Sequence, residues 1–384
     1  MKKLTILLLF VAGNALQAQP NQGVLIGQDT LNNVITTAVP FLTITPDARA
    51  AGMGEVGAAL SPDANAAYWN AGKLAFIEQG YGVSASYTPW LGKIINDMYV
   101  FYLSGFYKIS KERTVAASMK YFDLGEIQFN KGPDPGDQLG RYNPREFAFD
   151  VTYSQMLTQN LGIGGALRYI HSNLTGAVSG SVDARPGNTV AVDIGVYYTR
   201  PLVSSNASYS LAASITNIGG KISYSDATVK DFIPTNLRLG GIFTSELDAF
   251  SSLSFGLDVN KLMVPSPAPG SKDKSLISGM LGSFSDAAGG FSEEIREFML
   301  SIGTEYWYNK TFAARLGYFN EARDKGNRKY LTFGLGFRKD KFGVDAAYLV
   351  PINKRENALA ETLRFTVMMN FEARPEQEQS SAEN

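Results

Sequence analysis

The feature that most constrains this chain is a run of fourteen alternating or β-rich segments whose connections switch between long and short. The segments lie near 79–88, 98–109, 113–124, 145–156, 161–172, 188–200, 207–217, 234–245, 250–260, 298–308, 311–319, 329–338, 341–350 and 361–371. Each approaches the roughly 9–11 residues that a tilted strand needs to cross a bilayer. Connections after odd segments are mostly long (125–144, 173–187, 218–233, 261–297, 320–328 and 351–360), whereas those after even segments are as short as Ser110-Lys111-Glu112 and Lys339-Asp340. Short turns on one side and long loops on the other describe an outer-membrane barrel. A soluble sandwich has no reason to sort its loops by parity. The expected fold is an all-β transmembrane barrel of 14 antiparallel strands, with both chain ends on the short-turn, periplasmic side.

The faces point the same way. Leu331, Phe333, Leu335 and Phe337 share one side, opposite Tyr330, Thr332, Gly334 and Gly336. Phe255, Leu257 and Val259 alternate with Ser254, Gly256 and Asp258 in the same manner. Period-two alternation assigns the apolar set to lipid and the small or polar set to the lumen. Segment 98–109 is apolar on both faces and is expected to pack against something inside. A barrel this wide encloses more space than its own side chains fill. Residues 19–78, rich in Ala and Gly, are the expected plug. Gly162-Ile163-Gly164-Gly165 falls within a strand, where glycine relieves crowding in a curved wall.

Composition removes several function classes. Lys plus Arg (35) balances Asp plus Glu (36), so no general field favours nucleic acid. The absence of cysteine excludes disulfides and thiolate chemistry. A basic start at Lys2 and Lys3, an apolar run from Leu4 to Ala12 and small Ala18 read as a secretory signal peptide. The expected organisation is a signal peptide at 1–18, a plug at 19–78, the barrel at 79–371 and a polar periplasmic tail at 372–384. No cofactor or metal is expected, and no enzyme activity.

Candidate functional residues form three groups. Lys120, Asp150, Arg168, Asp193, Arg238, Asp258, Glu305, Arg315, Asp345 and Arg364 face inward, five basic and five acidic. Buried charges demand partners, so these are expected to bond wall to plug. His171 is the single histidine, and alternation puts it on the lipid-facing side while Ser172 points the other way, which disfavours an interfacial hydrolase. Asp134 and Asp137, in the loop of residues 131–138, fall short of the carboxylate spacing of a calcium loop. The connection 261–297 is long enough to be functional. Its apolar Leu276, Ile277, Met280, Leu281, Phe284 and Phe291 suggest a lid or a protein-docking surface, and Ser292 is placed to cap a short helix with Glu293 and Glu294 in its first turn.

Within the plug, Arg49-Ala50-Ala51-Gly52-Met53-Gly54, Ser61-Pro62-Asp63-Ala64 and Ala66-Ala67-Tyr68-Trp69-Asn70 carry a family resemblance. The stretch resembles the start of the PorV/PorQ group of outer-membrane barrels, found in Bacteroidetes and related to the FadL-type transporters. The length, the polar tail and the long connection through Phe291 bring it nearer the PorV branch. The resemblance implies an outer-membrane component of type IX secretion. Such a barrel receives the C-terminal signal domain of cargo leaving an SprA-type translocon and passes it to a PorU-like surface attachment complex, among outer-membrane lipid and lipopolysaccharide. It assigns Arg49, Gly52, Gly54, Asp63, Tyr68, Trp69 and Asn70 a structural role in the plug. The alternative is a FadL-like channel for hydrophobic small molecules.

Overall fold

The computed structural model describes residues 33–90, 97–130, 138–174, 185–224, 230–352 and 362–372. The expected signal peptide, plug residues 19–32, Asp134, Asp137 and tail residues 373–384 lie outside the described residues. In chain order the strands are β1 (Tyr81–Pro89), β2 (Tyr99–Ser110), β3 (Arg113–Asp123), β4 (Ile127–Asn130), β5 (Gln138–Tyr142), β6 (Arg145–Met156), β7 (Leu161–Asn173) and β8 (Gly187–Leu202). They continue as β9 (Ala207–Gly219), β10 (Asn236–Glu246), β11 (Ser251–Leu262), β12 (Phe298–Tyr308), β13 (Phe312–Asn320), β14 (Lys329–Lys339), β15 (Phe342–Pro351) and β16 (Leu363–Phe371).

All but β4 and β5 form one closed barrel in which sequence neighbours pair antiparallel. Closure is made by β1 on β16, from Tyr81 opposite Phe371 to Tyr87 opposite Phe365. In hydrocarbon every backbone N–H and C=O needs an internal partner, and closure removes the edges that would lack one. The hairpin β4–β5 stands apart, inside a connection read from sequence as loop. Its strands, four and five residues long, are too short for alternation to announce them.

The faces are inverted relative to a soluble protein. Leu335 is 69% exposed and Leu167 61%, while Asp345 and Thr332 are fully buried. The apolar belt therefore faces lipid and the polar face meets a filled lumen. The filling is the segment before β1. Its backbone bonds to Thr332 on β14, Asp258 on β11, Ser154 on β6 and Thr366 on β16, around the whole circumference. Segment 98–109 owes its doubly apolar character to this plug. Phe106 packs with Ala66, Leu74 and Ile77, and Val100 with Phe41 and Leu42.

The strand ends at Tyr81 and Phe371 lie on the short-turn side. The chain ends themselves lie outside the described residues, and Asn33, the first described residue, stands at the opposite end of the barrel. Asn33 bonds Glu293, and the Ala38 amide donates to Phe232 O, both in the long-loop mouth. At the other end, the Ile77 carbonyl accepts from Lys108, and the Gly80 amide donates to Phe371 O at the periplasmic rim. The described part of the plug thus runs from the mouth at Asn33 to the rim at Ile77.

Wall glycines that face the lumen also have a different cause from the one read in sequence. A Cβ on Gly164 would stand 2.5 Å from the Ala71 carbonyl carbon, so Gly164 is small because the plug backbone lies against it. On Gly317 a Cβ would stand 2.0 Å from the Gly54 nitrogen, and Gly54 itself has φ +68°. Position 54 thus excludes other residues both by conformation and by the nearness of Tyr318. Gly317→Val is expected to unseat the plug and lower the temperature at which the barrel loses its folded mobility on a gel. Gly105→Val is the control. It lies on the outer face with Leu103 and Tyr107, its Cβ meets only ordinary contacts, and it is expected to leave that temperature unchanged.

Candidate functional site

Two regions concentrate polar chemistry, the plug–wall interface and the external mouth. In the plug, Asp47 caps the helix α1 (Ala48–Ala51) by accepting from the Ala50 amide at 2.9 Å, and accepts from Trp69 Nε1 at 2.6 Å. Arg49 on α1 grips Glu305 on β12 with two bonds, 3.0 Å from Nε and 2.8 Å from Nη2. Its Nη1 reaches Asp63 at 3.2 Å. Glu305 also receives Arg315 at 2.7 Å, and Arg315 bonds Asp345 at 2.8 Å. A chain of alternating charge thus runs from plug to wall.

The other inward charges fall into place around it. Arg168 pairs with Asp150, the residue opposite it across β6–β7, and lies 2.9 Å from Asp193. Asp258 accepts the Gly57 and Ala58 amides, both at 2.8 Å. Arg238 lies over the Trp69 ring at 4.4 Å, and Lys120 donates to the Leu42 and Ile44 carbonyls, which Tyr68 also bonds. Asn70 accepts from the Gly72 amide and donates to Val196 O on β8. The Gly52 carbonyl accepts from Thr332. Arg364 is buried without a carboxylate partner among the described residues. The interior gap bounded by Glu55, Tyr68, Arg168, Arg238 and Arg328 measures about 60 Å³, room for a few waters and not for a solute passage.

The mouth is built differently. The connection between β11 and β12 carries helices α2 (Leu276–Gly282) and α3 (Phe291–Arg296). Ser275 caps α2, whose Gly279 packs on Phe232 and Pro265. The underside of α3 is charged: Glu293 accepts from Lys325 at 2.6 Å, and Glu297 from Lys325 at 2.9 Å. Lys261 at the end of β11 pairs with Glu294 and Glu297. All three glutamates are buried, so the loop is pinned to the barrel by desolvated ion pairs. The bond from Lys325 holds the Glu293 carboxyl down at about 2, below the usual carboxylate range.

Its outer surface is apolar. Ile277, Leu281, Phe284 and Phe291 are exposed, Phe291 by 80%. The six apolar residues of this connection do not share one environment, and the expected helix cap fails. Met280 is buried and Leu276 half-buried, because at helical spacing Gly279 and Met280 turn to the barrel while Ile277 and Leu281 turn out. Ser292 does not cap α3; Gly290 precedes it, and Ser292 instead accepts from Arg296. Sequence reasoning missed Ile295, 54% exposed; its signal was the i, i+4 spacing from Phe291.

His171 stands at the outer rim, its Nδ1 2.8 Å from Asn188 Oδ1 and its ring stacked on Phe147. Ser172 faces inward and donates to Glu146, so serine and histidine form no pair. Among the described residues no His, Cys, Asp and Glu group could hold a metal ion.

Comparison with known proteins places this architecture. A family model described as "Type IX secretion system protein PorV" matches residues 27–269. No curated protein matches the sequence. Among solved structures, the monoaromatic hydrocarbon channel TodX deltaS2S3 mutant is similar at 14% identity and TM-score 0.52, covering 85% of this chain and 98% of its own. The P. putida toluene transporter TodX follows at 13% identity and TM-score 0.50, with the same coverage. A Pseudomonas aeruginosa FadL homologue is 10% identical, with TM-score 0.46, covering 86% of this chain and 99% of its own. These likenesses bear on the fold.

The ion pairs at the mouth predict a pH response. Glu293 has its carboxyl pKa depressed on folding, so the stability it contributes is present above the unfolded value near 4.5 and is lost as pH falls toward 2. Hydrogen exchange of residues 291–296, corrected for intrinsic rate, is expected to show protection at pH 7 that declines below about pH 4. Lys325→Met is expected to remove that protection already at pH 7.

Proposed function

The chain belongs to the PorV family of type IX secretion system proteins, and from that premise we propose that it is a cargo-binding shuttle. It binds the C-terminal signal domain of cargo leaving an SprA-type translocon and delivers it to a PorU-like surface attachment complex. The observation that carries this reading is the pairing of a plugged lumen with a rigid external platform bearing Ile277, Leu281, Phe284, Phe291 and Ile295. A wide exposed apolar surface on a pinned support suits protein docking, where a few aromatic and aliphatic anchors carry most of the affinity. The chemistry is reversible contact.

The competing reading is a hydrophobic-solute channel, after the hydrocarbon channel and toluene transporter whose folds are similar. The interior gap of about 60 Å³, lined by Glu55, Arg168, Arg238 and Arg328, gives that reading no support. An apolar solute in this gap would meet the charges of Glu55, Arg168, Arg238 and Arg328.

Replacing Phe284 and Phe291 together by Ser is expected to weaken binding of a purified cargo C-terminal domain by about tenfold or more, measured by surface immobilisation of the folded barrel. Unchanged binding in a correctly folded variant would sink the docking role of this loop. Loss of hydrocarbon uptake with secretion intact would favour the channel.

A further inference from the structure

The lipid-facing wall of β6–β10 carries a concavity that neither the plug nor the mouth explains. It is an open groove of about 450 Å³ and almost wholly apolar. Its origin lies in strand register. One outward row crosses the wall as Tyr153, Gly165, Ile194, Ile215 and Leu237, each opposite the next. The adjacent row is Gln155, Ile163, Val196, Ala213 and Leu239. Gly165 and Ala213 are gaps in these rows, and the floor between the flanking side chains is backbone at Gly164 and Gly195. Behind that floor the plug presses Ala71 and Asn70 against the wall, so the groove is closed from inside.

One end of the groove is polar. Gln155 lies next to the periplasmic end of β6, directly opposite Arg113, the first residue of β3. Arg113 is exposed on the same outer face as Val115. Tyr153 donates to Gln155 Oε1 at 3.1 Å, which leaves the glutamine amide nitrogen to donate elsewhere. A guanidinium and an amide donor therefore stand at the periplasmic rim, at the mouth of an apolar groove that climbs toward mid-membrane.

We propose that this groove seats an acyl chain of a phospholipid of the periplasmic leaflet, with its phosphate on Arg113 and Gln155. A phospholipid has its anion at one end of a hydrocarbon chain and at the depth of the rim, which matches the order of groups along the site. The groove lies inside the hydrocarbon belt, where an apolar concavity is filled by hydrocarbon and not by water. Because the floor backs directly on Ala71, a bound chain would also brace the wall where the plug leans on it.

The test is native mass spectrometry of the full chain in mild detergent, titrated with dioleoyl phosphatidylglycerol. The wild-type barrel is expected to carry a discrete one-lipid adduct. Ala213→Trp, which fills the groove from outside, is expected to weaken it about tenfold. Arg113→Gln is expected to weaken it several-fold without touching the groove. Leu167→Trp, on the same outer face but outside the groove, is expected to bind as wild type. Equal adducts in wild type and Ala213→Trp would overturn the site. If Ala213→Trp does not fold, equal binding by Arg113→Gln overturns it instead. Recovery from the native membrane of a lipopolysaccharide or a protein on this wall, in place of a phospholipid, would overturn the assignment of its occupant.

Discussion

Arg49 holds the molecule in its closed state. It is buried between Glu305 on the wall and Asp63 farther along the plug. Removing one partner of a buried ion pair leaves the other charge uncompensated, so this guanidinium and its carboxylates hold one another in place. The plug cannot move as a rigid piece without leaving several buried charges unpaired at once, since Arg315 shares Glu305 and Asp345. Close backbone packing at Gly54–Gly317 and Ala71–Gly164 adds a steric lock to the electrostatic one. What remains available to other molecules is the outside of the barrel and its mouth.

The mouth repeats the device for a different end. Lys261 and Lys325 pin α3 from below through Glu293, Glu294 and Glu297, so the apolar residues above are presented on a fixed surface. A loop of this length free to move would lose conformational entropy on every encounter. Ordering in advance reduces that cost. The plug contributes as well, for Asn33 lies against Glu293 and Lys325 and ties the start of its lumenal path to the loop above.

The barrel strands were legible because period-two alternation and loop parity are local properties, and every barrel strand lies within two residues of its expected bounds. The inward set of charges was legible as a face and not as pairs. Arg49 and Glu305 are separated by 256 residues, and nothing in either segment names the other. Asp150 and Arg168 meet across one hairpin, where register alone could have paired them. Gly162 and Gly164 were misread because their cause is the plug, whose path through the lumen leaves no periodic mark. At the mouth, short helices gave a weak pattern: composition marked Met280 as apolar without its inward direction, and Ile295 was passed over. Lys261 and Lys325 gave no sign of their role, since a lysine after a strand reads as ordinary solvated charge.

The proposed function puts the work of this barrel at its external surface and not through its lumen. Planar-bilayer recording of the purified full chain tests it most directly. The plugged lumen predicts no sustained conductance at neutral pH. A stable ohmic current from the wild-type barrel would contradict it.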